Sequence, residues 1–325
     1  MPQSIAFSFI LVPMRELALL GALVMTLTSV SAQDTLPFKK FYIEISGGYS
    51  FPFVNDNLGS TREIIGSANY LMRADSSISS TSVFGTQGSG WRTSFNVGYM
   101  VHKNVGFEFQ VNYFQSQRFL LAKTESPTFK GEHTVKASRL ELAPQLVLNF
   151  DIKKWSMYSK TGVILPVWGN SRSSIKIDDR DGYVFEEATG IAAPVHAKLE
   201  AEVSTFGKFS YGIQTRLGGA YRATNWLSVF AEMNFTALSI NSKENIVNSL
   251  NIDFFDAEGN IFQSATIEDA DVIDRHTVYV SELTETSNNP TVNPNPDPNR
   301  PMEELNTKNN FNTLGLSIGL RFYIR

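Results

Sequence analysis

Apolar and polar residues alternate one by one along the last fourteen residues of the chain. One face of an extended strand would carry the apolar residues Leu314, Leu316, Ile318, Leu320, Phe322 and Ile324. The other face would carry Thr313, Gly315, Ser317, Gly319, Arg321 and Tyr323. Because successive side chains of a β-strand point to opposite sides, this period of two predicts a strand with one apolar face and one polar face.

Seven earlier stretches alternate in the same way, and together with the last one they predict eight strands and an all-β fold. They cover residues 41–51, 91–101, 105–113, 139–149, 156–168, 209–221 and 227–236. The stretch 156–168 is the least regular. We expect it to keep Lys160 on the interior face and to fray at Pro166, because proline cannot donate to a strand ladder.

The connections between these strands alternate between short and long. Short turns fall near residues 102–104, 151–155 and 222–226, and long connections near 54–90, 118–135, 169–206 and 241–310. Short turns on one side and long loops on the other are typical of outer-membrane barrels. The pattern therefore predicts an eight-stranded antiparallel up-and-down transmembrane β-barrel. The Pro/Asn-rich segment 288–301 in the last connection predicts disordered or extended chain.

The N-terminal segment predicts export. Arg15 precedes an apolar run over residues 17–30, and Val30-Ser31-Ala32 fits the small-residue cleavage rule of a signal peptide. We therefore expect a signal peptide over residues 1–32, with Met14 as an alternative start. Residues 33–325 are then expected to form a single barrel domain.

All four tryptophans fall at the ends of predicted strands. Trp91 and Trp168 lie on the side of the long connections, whereas Trp155 and Trp226 lie on the side of the short turns. Amphipathic indole rings favour the two membrane–water interfaces, where they form belts. This placement predicts that the apolar strand faces contact lipid.

The polar strand faces carry charges of both signs at mid-strand. They are Glu44, Arg92, Glu108, Arg139, Glu141, Lys160, Arg216, Glu232 and Arg321. The interior of an eight-stranded barrel is only wide enough for side chains to fill. Because buried charges persist when they are paired, we expect these nine residues to form a polar plug. Their functional interpretation is a binding site or a gated ion path.

The signal segment, the eight alternating stretches and the amphipathic C-terminal strand resemble OmpA-like transmembrane barrels, common among outer-membrane β-barrel proteins of Bacteroidota. The resemblance implies the outer membrane of a Gram-negative bacterium, contact with its lipid, and insertion by the barrel-assembly machinery. Such barrels often end in an aromatic residue that this machinery recognises. This chain ends in Arg325, so the expected assembly signal is Phe322 with Tyr323.

Composition and motifs argue against several classes of partner and site. The formal net charge of −4 argues against nucleic acid as a partner, and the absence of cysteine excludes thiolate sites and disulfides. The four histidines, at 102, 133, 196 and 276, all lie in predicted turns or loops, so no enzyme is predicted. The acidic run 178–182 lacks the spacing of a calcium loop, so neither a metal site nor a cofactor is predicted.

These observations favour a structural or surface-interaction role, such as adhesion or binding, with an unidentified extracellular partner held by the long loops. Two alternatives stay open. One is a porin-like channel for small solutes. The other is a soluble, lipocalin-like barrel, in which the apolar faces would point inward around a ligand.

Overall fold

The computed structural model describes residues 39–53, 56–57, 69–72, 78–81 and 84–324. The predicted signal peptide and most of the first long connection lie outside these residues. The described strands are β1 (Phe41–Pro52), β2 (Asp56–Asn57), β3 (Asn69–Met72), β4 (Ile78–Thr81), β5 (Phe84–Gly85), β6 (Gly90–His102), β7 (Val105–Ser116), β8 (Phe119–Glu125), β9 (Phe129–Ile152), β10 (Trp155–Asp179), β11 (His196–Gly207), β12 (Gly212–Arg222), β13 (Leu227–Ala237), β14 (Ser239–Phe255), β15 (Ile261–Thr266), β16 (His276–Val280), β17 (Met302–Leu305), β18 (Lys308–Asn310) and β19 (Thr313–Ile324). Two short helices, α1 (Tyr183–Thr189) and α2 (Val272–Arg275), join them.

Eight of these strands pair into a closed ring. Its order is β1, β6, β7, β9, β10, β12, β13 and β19, and β19 pairs back onto β1 with Phe41 opposite Ile324. Every strand is antiparallel to both neighbours, and neighbours in the ring are also successive ring strands along the chain. The predicted all-β class is confirmed, and each of the eight predicted strands overlaps one strand of the ring.

The longest ring strands, β9 and β10, have 24 and 25 residues and continue past the ring. Their far halves form what we call the outer sheet: β8, residues 129–137 of β9, residues 169–179 of β10, β11, β14 and β15. The long connections expected at 118–135, 169–206 and 241–310 therefore contain strands of their own. β9 and β10 satisfy each other's backbone groups from Ile152 and Trp155 at the turn to Phe129 and Asp179 at the tip.

The expected fraying at Pro166 is wrong. β10 continues through this residue, with a register shift between Pro166 and Trp168. A bulge of this kind lets a strand accommodate an extra residue while the ladder resumes on both sides.

The outer sheet has its own small apolar core. Buried side chains from β8, β10, β11 and β14 meet α1 on one face of the sheet; they are Ala122, Ile177, Val184, Ala197, Leu199, Ala201 and Phe254. The sheet is thus held by packing as well as by backbone pairing.

The Pro/Asn-rich segment is ordered, contrary to the expectation of disordered or extended chain. Asn288 is 1 % exposed, and its Nδ2 lies 3.0 Å from the carbonyl oxygens of Asp297, Arg300 and Pro301. The backbone N–H of Asp297 donates in turn to Asn288 Oδ1 at 2.7 Å. The buried side-chain amide of Asn288 therefore holds the turns of this segment together by hydrogen bonds, although the segment has few apolar residues.

Among the described residues, no helix is long and apolar enough to cross a membrane.

Candidate functional site: the charged interior of the ring

The structure places all nine predicted charged residues inside the ring, none of them more than 6 % exposed. Each of the eight ring strands contributes at least one of these side chains. They are Glu44 on β1, Arg92 on β6, Glu108 on β7, Arg139 and Glu141 on β9, Lys160 on β10, Arg216 on β12, Glu232 on β13 and Arg321 on β19. The alternation brings them together because it turns the same face of every strand inward.

Lys160 joins opposite sides of the ring. Its Nζ lies 2.5 Å from Glu44 Oε2 and 2.7 Å from Glu108 Oε2. β1 and β10 are four places apart in a ring of eight strands, so the Glu44–Lys160 pair crosses the full width of the interior. An ion pair in this position occupies the path that a solute would have to take.

Two arginines extend the same network. Arg216 pairs with Glu108, and its Nη1 lies 3.0 Å from Glu232 Oε1. Arg321 Nε lies 2.6 Å from Glu44 Oε1. Three cations are thus matched by three carboxylates, which is the arrangement that makes buried charges tolerable.

A second group lies nearer the end of the ring that carries the long connections. Arg139 pairs with Glu141, and its guanidinium carbon lies 4.1 Å from the ring centre of Phe114 and 4.4 Å from that of Phe311. Contact of a guanidinium with aromatic faces is favourable. Arg92 lies beside this group, with its Nε and Nη2 buried and without a hydrogen-bond partner among the described residues.

Below the charges, at the end with the short turns, the interior is filled by aromatic rings. Tyr42 donates to Glu108 Oε2 at 2.8 Å and Tyr158 to Glu232 Oε2 at 3.1 Å. Each ring lies over the glycine opposite it on the neighbouring strand. A Cβ added to Gly98 would lie 2.0 Å from Tyr42 Cζ.

The same relation holds between Tyr158 and Gly218, where the added Cβ would lie 2.5 Å from Tyr158 Cζ. These two tyrosines belong to the site although the alternating pattern of the sequence does not mark them. In the sequence, each tyrosine is matched by a glycine at an interior position of the neighbouring strand. This match can be recognised only when the register of the two strands is known.

At the other end, apolar side chains and a short segment close over the charges. Phe311, Leu238 and Ile164 are buried together there. Thr86 donates to the carbonyl of Asn310 at 2.6 Å, and the segment 86–89 packs so closely that a Cβ added to Gly88 would lie 2.8 Å from the carbonyl oxygen of Phe311. The charged layer therefore lies between an aromatic layer and an apolar layer.

The outer surface of the ring carries apolar side chains, whereas its interior is charged. Leu316 is 59 % exposed and Ile318 is 72 % exposed. Along the described ring strands, the outward positions between the two ends carry no Asp, Glu, Lys or Arg. The exposed aromatic residues at the two ends of the ring include Trp91, Trp155, Trp168 and Trp226.

The two residues of the expected assembly signal lie on opposite faces of β19. Phe322 points outward and stacks on Trp226, with ring centres 6.2 Å apart. Tyr323 is on the inner face, where the guanidinium carbon of Arg222 lies 4.6 Å from its ring centre.

The histidines and the acidic run lie away from this interior network. Within the described residues no group of three or more His, Cys, Asp or Glu could hold a metal ion. In the run 178–182, Asp179 accepts the backbone N–H groups of Asp181, Gly182 and Val184 at 2.7–3.2 Å. This carboxylate therefore organises the turn that leads into α1. His196 contacts Asp178 at 3.0 Å on the outer sheet.

Comparison with known proteins gives neighbours but no family. No family model matches the chain, and no curated protein matches it. Similar solved structures include the outer membrane protein OprG from Pseudomonas aeruginosa, with 11 % identity, a TM-score of 0.38, and coverage of 90 % of this chain and 100 % of that one. Neisserial surface protein A has 10 % identity and a TM-score of 0.32, covering 87 % and 97 % of the two chains.

A major outer membrane protein from Thermus thermophilus is similar to the same degree, with 10 % identity, a TM-score of 0.32, and coverage of 87 % and 99 %. The structural neighbours are thus outer-membrane and surface proteins.

Proposed function

We propose that the ring is an eight-stranded transmembrane β-barrel of the bacterial outer membrane, with an interior closed to solutes. This proposal rests on the distribution of residues in the ring, which is polar inside and apolar outside. Nine charged side chains are buried inside it, whereas its outward positions are mostly apolar and carry no charge. A contiguous apolar surface of this size is unfavourable in water and favourable in lipid.

The height of the apolar surface suits a bilayer. On β6 the outward positions from Trp91 to Val101 span ten residue steps. At about 3.4 Å per residue and a strand tilt of about 40°, this is roughly 26 Å along the barrel axis. The apolar band of outer-membrane barrels is about 25 Å tall, so the tryptophans would lie at its two borders.

The interior argues against both alternatives. A soluble, lipocalin-like barrel would need an apolar cavity, whereas this interior holds ion pairs, glutamines and asparagines. A porin-like channel would need a continuous aqueous path. The Glu44–Lys160 pair spans the interior, and the layers above and below it are filled by side chains.

The outer sheet is the part that we propose for a structural or surface-interaction role with an extracellular partner. Its exposed face carries charges in alternating rows across the strands, which suits contact with water. One row is Lys123, Glu132, Lys176 and Glu200, and the next is Glu125, Lys130, Asp178, Lys198 and Asp253. A rigid, charged sheet presents a fixed surface to a partner.

The test combines fractionation with conductance. The protein should be recovered in the outer-membrane fraction, and its mobility on gels should change when the sample is boiled. In planar bilayers the folded protein should give no stable conductance above the background of empty detergent. Recovery in the periplasm would exclude the membrane barrel, whereas a stable, large conductance would exclude the closed interior.

We further propose that Phe322 and Tyr323 form the assembly signal read by the barrel-assembly machinery. Phe322→Ala should reduce the folded protein in the outer membrane of growing cells. Phe209→Ala, which removes a phenyl ring that is 80 % exposed outside the ring strands, is the control. Equal loss in both variants would contradict this role.

A further inference from the structure

Among the described residues, the charges inside the ring do not balance. Five cations (Arg92, Arg139, Lys160, Arg216 and Arg321) face four carboxylates (Glu44, Glu108, Glu141 and Glu232). Lys160, Arg216 and Arg321 are matched by the three carboxylates they contact. The excess of one positive charge therefore belongs to the second group, where Arg92 and Arg139 share a single carboxylate, Glu141.

The hydrogen-bond donors of these two arginines are also in excess. Arg139 uses its Nε for Glu141, while its Nη1 and Nη2 are buried without a partner among the described residues. The same is true of Nε and Nη2 of Arg92. Both arginines are at least 94 % buried, being 4 % and 6 % exposed. Four buried guanidinium nitrogens without acceptors are costly unless an acceptor is bound.

The two side chains lie in one row across the inner face of three neighbouring strands. Arg92 is opposite Phe114 on β7, and Phe114 is opposite Arg139 on β9. Two strand spacings of about 4.8 Å separate the two backbones by roughly 10 Å, and long side chains on the same inner face can close this distance. The hydroxyl of Ser50, also buried without a partner among the described residues, is on β1, where Gly48 is opposite Arg92 and Ser50 is opposite Gly90.

We propose that Arg92 and Arg139 bind one small monovalent anion inside the ring. One negative charge would neutralise the excess, and an acceptor between the two guanidinium groups would satisfy their free donors. The site lies between the apolar layer and the aromatic layer, and chloride is the small monovalent anion used to probe it. The site lies wholly inside the ring, so it does not depend on whether the outer face contacts lipid.

The test measures how chloride shifts the unfolding equilibrium of the purified protein in detergent. Sodium chloride is exchanged for sodium gluconate at constant ionic strength, because gluconate is too large for the site. If the folded state binds one chloride that the unfolded state does not, a tenfold rise in chloride above the dissociation constant lowers the unfolding equilibrium constant tenfold. Protein folded in bromide should in addition give one anomalous diffraction peak between Arg92 and Arg139.

Two variants remove the site and one matched variant leaves it intact. Arg92→Met and Arg139→Gln should abolish the chloride dependence. Arg92→Met should still fold, because it restores charge balance and Arg92 forms no ion pair among the described residues. Lys136→Gln, on the exposed face of the same strand as Arg139, should keep the full chloride dependence.

Chloride dependence that persists in Arg92→Met, or that disappears in Lys136→Gln, would overturn the proposal in favour of a general salt effect. Equal stability in chloride and gluconate, with no bromide peak, would overturn it as well.

Discussion

Glu44 is the residue on which the interior network depends most. It is fully buried and accepts hydrogen bonds from Lys160 at 2.5 Å, Arg321 at 2.6 Å and Asn96 at 2.9 Å. Glu44→Gln preserves the shape but removes the charge. It leaves Arg321 without a carboxylate partner among the described residues and raises the interior excess from one positive charge to two. We expect a loss of about 3–5 kcal/mol in the free energy of unfolding, as for other broken buried ion pairs.

Lys160→Met removes an equally buried partner but should cost less. Glu44 would keep Arg321, and Glu108 would keep Arg216. The interior excess would fall from one positive charge to zero, and the methionine fills most of the volume of the lysine stem. The expected loss is about 1–3 kcal/mol, the cost of acceptors that lose one hydrogen-bond donor. Lys160→Met should therefore be more stable than Glu44→Gln, because each remaining charge keeps a partner of opposite charge.

The assay is urea unfolding in detergent micelles, with the folded fraction measured from gel mobility without boiling. Glu200→Gln is the matched control, because Glu200 makes the same kind of contact, with Lys176 at 3.1 Å, but its side chain is 66 % exposed. An exposed pair contributes little, so the control should unfold at nearly the urea concentration of the parent. The reasoning is refuted if Glu44→Gln matches this control, or if Lys160→Met is the less stable of the two interior variants.

Three further predictions use the same unfolding assay or local probes. Gly218→Ala should destabilise the barrel-shaped ring by about 1–3 kcal/mol, because the added methyl group overlaps the side chain of Tyr158. The adjacent Gly219→Ala should be tolerated, because its added Cβ would lie 3.9 Å from the nearest heavy atom. Equal losses in the two variants would contradict the assignment of Gly218 to the inner face and Gly219 to the outer face. Asn288→Ala should make the segment 288–301 sensitive to protease without changing the unfolding of the ring, since three backbone carbonyls lose their hydrogen-bond donor. An unchanged digestion pattern would contradict this role of Asn288. The hydrogen bond from Lys243 chiefly holds the pKa of Glu244 below its usual value of 4.5. The same carboxylate contacts His276 of β16 at 3.2 Å, which also lowers the pKa to a smaller extent. The ionised form therefore supports the pairing of β14 with β16 above this pH, and hydrogen-exchange protection of β16 should fall as the pH drops below 4.5. In Glu244→Gln that fall should be absent.

The ring could be predicted because its pattern is local. Period-two alternation fixes which face of a strand is apolar without knowledge of its partner, and a charge such as Glu108 or Arg216 in the middle of the polar face marks the interior. The partners themselves could not be predicted. Glu44 and Lys160 are 116 residues apart, and only the order of strands around the ring places them opposite each other.

The outer sheet was missed for a physical reason of its own. Beyond the ring, the exposed face of β9 carries Lys130, Glu132 and Lys136, because it contacts water rather than an apolar phase. Its strands therefore lose the contrast between apolar and polar faces and resemble loops in sequence. The ordered conformation of the segment around Asn288 could not be predicted from its composition. It depends on one side chain that donates hydrogen bonds to backbone carbonyls 9 to 13 residues further along the chain.

We predict that the outward face of the ring contacts lipid, and the chain allows a direct test because it contains no cysteine. Single spin labels can be attached through Leu316→Cys and Ile318→Cys on the ring and through Lys136→Cys on the outer sheet. In phospholipid vesicles, labels at 316 and 318 should collide readily with oxygen and rarely with a water-soluble nickel complex, because oxygen concentrates in the bilayer. The label at 136 should show the opposite preference. Labels at 316 and 318 that are as accessible to nickel as the label at 136 would contradict the membrane barrel.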